Sequence, residues 1–213
     1  MKNNENTSLK IENIVSSGSV AGAIDLEFIS TTLKDCTFSK RKFPGAIFHM
    51  QDPKSAALIF ESGRLVITGL HQPEDTPVAL QNLLNKLTDA GITCLDKPEV
   101  AITHMVCSCD PGHPLNLARI MVALMDHERV ESEPGVFPGL LCRISDQKIV
   151  FLLFSSGKII ITGERIGKTS KQEKPFIRKN SVLLQNNPGI SISMAPAPAS
   201  YPASGPSSGR KYM

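Results

Sequence analysis

FPGAIFHMQDPKSAALIFESGRLVITG, residues 43–69, returns 94 residues later as FPGLLCRISDQKIVFLLFSSGKIIITG, residues 137–163. The two copies align without a gap, placing Phe43 on Phe137, Phe60 on Phe154 and Gly69 on Gly163, and about 12 of the 27 positions are identical. Within the first copy, three β-rich runs, 46–50, 55–60 and 65–68, are separated by turn signals at Asp52-Pro53 and Ser62-Gly63. This spacing predicts a meander of antiparallel strands. Two copies are too few for a solenoid, and each unit is too long for one, so the repeat predicts one body of two similar halves about a pseudo-twofold axis.

The flanks extend the repeat. Leu9 to Ser17 reads as a strand with Asn13 and Val15 on one face. Asp25 is the expected N-cap of a short helix carrying Leu26, Ile29 and Leu33, and Cys36 to Lys40 returns toward extended structure. After Gly69, Pro77 suits the first position of the longest helix, whose expected apolar stripe is Val78, Leu80, Leu83, Leu84 and Leu87, ending near Gly91. The cycle restarts with a strand from Val100 to Cys109, Asn116 in the place of Asp25, and a helical face of Leu117, Ile120, Met121 and Leu124. The offset there is 91, and the loop 131–135 absorbs the three-residue difference. A second long helix is due near Lys171, but Pro175 falls inside it and only Val182, Leu183 and Leu184 cluster, so it is expected to be short or distorted. From residue 186 the chain is rich in Pro, Ser, Ala and Gly and is expected to be disordered. The boundaries that follow are 9–98 and 99–185 for the two repeats and 186–213 for the tail.

A chain of 213 residues, 41% hydrophobic and 20% charged, is ordinary for a globular protein, and a net charge of +3 permits an anionic partner without demanding one. The N-terminus lacks the apolar core of a signal peptide, and no stretch approaches the roughly 18 apolar residues of a membrane span, so a cytosolic protein is expected. Five cysteines, an odd number, suit small core residues better than a disulfide framework. Cys107, Cys109 and His113 fall short of the usual four ligands, so no metal is expected. Asp126, His127 and Glu128 read as a solvated helix end, and the basic run from Lys168 to Lys179 as a solvated charged segment. No phosphate-cradling loop or nucleophile motif is present, which argues against an enzyme and against a cofactor.

The strands themselves point to a surface. In 55–60 and 149–154 neither face is polar, and helices cover only one side of a single sheet. The other side carries Leu58, Phe60 and Val66 with their counterparts Leu152, Phe154 and Ile160. A second sheet or a second copy packing there is one account of such a face. The interleaved Asn13, Thr68 and Thr162 favour another, a recognition surface with a few hydrogen-bonding groups set in an apolar floor.

FPG, then D-x-K, then a strand ending in Phe, SG and ITG recur in order in both halves, and on these motifs the chain resembles the TATA-box-binding proteins, archaeal in type, from about Leu9 to Gly163. The resemblance implies an α+β fold: a pseudo-twofold saddle, one curved ten-stranded antiparallel sheet with helices on the convex face. It further implies a general initiation factor, a monomer on double-stranded DNA, cytoplasmic and nucleoid-associated, that bends the minor groove of a TATA box and recruits transcription factor B and, through it, RNA polymerase. On that resemblance Phe43, Phe60, Phe137 and Phe154 are the intercalating wedges. Val15, Leu58, Val66, Val106, Leu152 and Ile160 form the groove floor, and Asn13, Thr68, His104 and Thr162 its central polar groups. Lys54, Arg64, Arg143, Lys148 and Lys158 meet phosphates, and Glu133 meets transcription factor B. The chain departs from the pattern in four places: His104 stands where the family has a second central asparagine, His49 stands where the other half has Arg143, Gly135 stands where a second acid is usual, and the second long helix, which completes the convex face in the family, is expected to be broken. The alternative is a diverged relative that uses the saddle to bind protein and regulate initiation.

Overall fold

A computed structural model of the protein describes residues 9–125, 129–132, 135–144 and 148–163. Ten strands form a single antiparallel sheet: β1 (Lys10–Ala21), β2 (Cys36–Thr37), β3 (Gly45–Gln51), β4 (Lys54–Phe60), β5 (Arg64–Leu70), β6 (Cys94–Cys109), β7 (Arg129–Glu131), β8 (Gly139–Ile144), β9 (Ile149–Phe154) and β10 (Ile159–Gly163). Their spatial order is β2-β3-β4-β5-β1-β6-β10-β9-β8-β7. Read from the middle outward, each half repeats the same sequence of strands. The centre is the β1–β6 pair, where Asn13 lies opposite Val106 and Val15 opposite His104. Exchanging the halves turns one of these pairs into the other, which puts the pseudo-twofold axis between them.

Three helices pack on one face: α1 (Leu26–Thr32), α2 (Asp75–Asp89) and α3 (Leu117–Leu124). The caps are where the sequence places them. Asp25 accepts the backbone N–H groups of Glu27 and Phe28, each at 3.0 Å, and Asn116 accepts that of Arg119 at 3.0 Å. α2 begins two residues before Pro77, which sits in the first turn where N–H groups have no intrahelical partner. Its buried stripe differs from the expected one. Thr76, Ala79, Leu83 and Leu87 are buried with Leu80 and Leu84 packed beside them, while Val78 is 50% exposed. The small Ala79 lets the helix lie close to the sheet, and Val78 rotates out. β1 continues past Ser17 to Ala21, and β6 starts at Cys94, ahead of the expected Val100. The second long helix expected near Lys171 and the tail from residue 186 lie outside the described residues.

The helix-side face of the sheet is the core. Ile14, Ala57, Ile59, Leu65, Ile67 and Met105 are all buried beneath α1 and α2. Cys36, Cys107 and Cys109 are buried as well, and burial pushes each thiol up to about 11, so they stay protonated and unreactive at neutral pH. In the second half Phe151 takes the place of Ala57 and is half-buried, as is Ile161 in the place of Ile67.

The two central strands approach closely at Gly18. A Cβ there would lie 1.9 Å from the carbonyl oxygen of Glu99 on β6, so any side chain must push the central pair apart. Gly18→Ala is expected to lower unfolding stability by about 3 kcal/mol, read from urea denaturation. Gly22→Ala, with nothing within 4 Å of its Cβ, is the control and should stay within about 0.5 kcal/mol of the parent.

Candidate nucleic-acid interface

Strand alternation assigns the face away from the helices to Val15, Leu58, Val66, Val106, Leu152 and Ile160, and all six are half-buried. Register joins them across the sheet: Leu58 lies opposite Val66, Val15 opposite Thr68, Thr162 opposite Val106, and Ile160 opposite Leu152. The result is a continuous apolar floor with its polar groups near the centre.

At each end stands an aromatic pair. The Phe43 and Phe60 rings are 5.8 Å apart at 57°, and the Phe137 and Phe154 rings 5.6 Å apart at 63°, tilted contacts that suit the charge distribution of aromatic rings. The FPG motif makes the room. Gly45 lies opposite Phe60 and Gly139 opposite Phe154. A Cβ on Gly45 would meet Phe43 Cε1 at 2.8 Å, and one on Gly139 would meet Phe137 Cε1 at 2.7 Å. Phe60 and Phe154 each end a strand, and their carbonyls accept the N–H of Gly63 and Gly157 at 2.9 and 3.0 Å. Tight turns thus fix the positions of Phe60 and Phe154.

The central polar groups are held by neighbours. A register shift between Ile14 and Val15 leaves Gly69 out of the ladder at φ +92, and its N–H donates to Asn13 Oδ1 at 2.8 Å. The Asn13 amide is therefore oriented, with Nδ2 donating to Thr68 Oγ1 at 3.2 Å. In the other half His104 Nε2 lies 2.8 Å from Thr162 Oγ1. All of these groups share the floor face.

One group there escaped the sequence reading. A second bulge, between Ile11 and Asn13, breaks the alternation of β1 and brings Glu12 to Ser108, whose Oγ donates to Glu12 Oε1 at 2.6 Å. Lys10 Nζ donates to Oε2 at 3.0 Å. The Ser108 hydrogen bond first, and that from Lys10 second, hold the Glu12 carboxyl below the usual carboxylate range. Ser108 alternates with Val106 and lies opposite Ile160, so this carboxylate borders the floor. Simple counting along β1 hides it, because a bulge is set by the partner strand.

The cations follow the same face. By alternation Lys54 aligns with Leu58, Arg64 with Val66 and Arg143 with Leu141, while Lys148 and Lys158 stand in the turns just before β9 and β10, and all five are exposed. Arg143 also meets Glu131 at 3.5 Å, an exposed pair that contributes little to stability. His49 is exposed on β3 at the position matching Arg143. Glu133 lies outside the described residues, as do Asp126, His127 and Glu128. Among the described residues no group of three or more His, Cys, Asp or Glu is placed to hold a metal, and no helix is long and apolar enough to cross a membrane.

The sequence profile of the family described as transcription factor TFIID (or TATA-binding protein, TBP) matches residues 8–90 and 99–175. The chain is 38% identical over 177 residues to the TATA-box-binding protein of Archaeoglobus fulgidus, which covers 83% of this chain and 94% of that one. It is 43% identical over 156 residues to TATA-box-binding protein 2 of Haloferax volcanii, covering 73% and 83%. The solved structure of Methanococcus jannaschii TBP superposes with a TM-score of 0.69 at 35% identity, covering 84% of this chain and 99% of that chain.

Gly139→Ala is expected to turn the Phe137 ring away from Phe154. Loss of ring-to-ring nuclear Overhauser contacts, with a stability decrease of about 2 kcal/mol, would report it.

Proposed function

The chain belongs to the TATA-binding protein family of transcription factors and has its saddle fold, and from that premise we propose that it binds A·T-rich promoter DNA through the minor groove and bends it by inserting four phenylalanines. The family is one of DNA-binding transcription factors, not enzymes, and a general role in initiation fits it. The observation that carries the proposal is the pairing of Phe43 with Phe60 and of Phe137 with Phe154 at the two ends of one apolar floor. Side-chain wedges partially unstack a base step and bend the duplex toward the major groove, behaviour for which this family is a standard example.

The chemistry of the floor supports the rest. The minor-groove edge of an A·T pair shows only acceptors, whereas a G·C pair adds a protruding amino donor. Val15, Leu58, Val66, Val106, Leu152 and Ile160 accept the first shape and, away from the central polar groups, leave the second without room or partner. Asn13, Thr68, His104 and Thr162 supply hydrogen bonds near the centre. Lys54, Arg64, Arg143, Lys148 and Lys158 neutralise phosphates, which fixes register without reading sequence. No cofactor takes part. The protein acts as a monomer on DNA at the nucleoid in the cytoplasm, and the bent complex is the platform for transcription factor B and then RNA polymerase, with Glu133 contributing to the first contact.

Energy transfer between dyes on the two ends of a short TATA-containing duplex tests the bend. Transfer should rise with the protein and fall back to the free-duplex value with the double variant Phe137→Ala/Phe154→Ala. A folded protein that leaves transfer unchanged at every concentration would sink the proposal and favour a protein ligand for the saddle. Lys158→Ala should weaken binding to all sequences alike and reduce the slope of log affinity against log salt by about 1.

A further inference from the structure

We propose that the two halves of the floor read different base pairs, so that the protein accepts a G·C pair near the dyad beneath its second half and rejects one beneath its first. This rests on the DNA-binding function proposed above and adds a direction to it.

The asymmetry lies in two matched pairs of positions. Asn13 and His104 occupy equivalent places beside the axis. Asn13 Oδ1 accepts from Gly69 N–H at 2.8 Å and from Thr68 Oγ1 at 3.3 Å, which leaves Nδ2 as the amide's donor, with one N–H on Thr68 and one to spare. That half presents a donor, which suits the acceptor-only edge of A·T. His104 in its neutral form carries one ring N–H, and Nε2 already faces Thr162 Oγ1 at 2.8 Å. If Nε2 donates, Nδ1 is a bare acceptor; if Thr162 donates, Nδ1 carries the ring N–H and the acceptor on offer is Thr162 Oγ1, whose lone pairs have no N–H set on them. Among the described residues the ring makes no other hydrogen bond.

Glu12 adds the independent observation. Its counterpart across the axis is Thr103, a hydroxyl that donates to Val15 O at 3.3 Å and lies 3.4 Å from Ser17 Oγ. Glu12 is an acceptor only, held by Ser108 and Lys10 at one lone pair of each oxygen, and its side chain is 37% exposed. Glu12 is carried by β1 but reaches across the seam to Ser108 on β6, and Thr103 is carried by β6 but reaches across to Val15 and Ser17 on β1, so the surface over the second half offers a carboxylate and an imidazole where that over the first offers a hydroxyl and an amide. The group that distinguishes G·C in the minor groove is an N–H donor. An acceptor turns that donor from an obstruction into a contact.

The test uses the full chain and duplexes derived from a self-complementary all-A·T core, measured by fluorescence anisotropy. One G·C pair beside the dyad can always be placed under the tolerant half by choice of orientation, whereas two symmetric G·C pairs cannot. Affinity should fall less than about 3-fold for the single replacement and about 10-fold or more for the symmetric double. Inosine·cytosine pairs lack the amino group and should cost less than about 3-fold in either design. In His104→Asn, and further in Glu12→Thr/His104→Asn, the single G·C should cost about 10-fold as well. A single G·C that costs the parent protein about 10-fold, with normal binding to the A·T duplex, overturns this inference alone. Variants that tolerate the single G·C as the parent does overturn the assignment to these residues. No binding even to the A·T duplex overturns the DNA reading, and this inference with it.

Discussion

Everything in this structure depends on the antiparallel pairing of β1 with β6. The two strands come from different halves, and their ladder is the seam that makes one ten-stranded sheet out of two five-stranded ones. Their backbones approach closely enough at Gly18 that no side chain fits. The seam also sets the spacing of the two aromatic pairs, because each pair is reached from the centre by crossing a fixed number of strands. A strand spacing near 4.8 Å therefore converts directly into the distance between the two aromatic pairs.

The sheet serves two masters through strand alternation. One face is dry: Ile14, Ala57, Ile59 and Ile67 are fully buried, and thiols that would be reactive at a surface stay neutral there. The other face keeps residues of similar character half-exposed. The same run of Val, Leu and Ile thus supplies a core and a contact surface at once. A mutation on β4 or β5 falls on the buried core or on the half-exposed face according to its parity alone.

Much of this was legible in the sequence because the repeat is long and gapless. The meander follows from alternation and the 94-residue correspondence, the caps at Asp25 and Asn116 from local spacing and the 91-residue one, and the aromatic pairs and the floor residues from alternation read together with the family resemblance. What stayed hidden lies where counting fails. Val78 was assigned to the helix stripe by spacing, yet a helix docks by shape and the smaller Ala79 sets its closest approach. Glu12 was invisible because a bulge after Ile11 shifts the alternation, and Gly69 leaves the ladder for a similar reason. The purpose of the glycine in FPG also needed three dimensions: its partner, Phe60 or Phe154, is 15 residues away along the chain and directly opposite across the sheet.

The tilted contact within each aromatic pair has a kinetic and entropic side. A lone phenylalanine on a surface samples several rotamers and gives up that freedom when it is captured, at about 1 kcal/mol per ring. Here each ring is already braced by the other and by the bare glycine beneath it, so the freedom is surrendered when the chain folds. A ring that enters DNA in the proposed way is ordered beforehand, and little of the binding energy is diverted to ordering it.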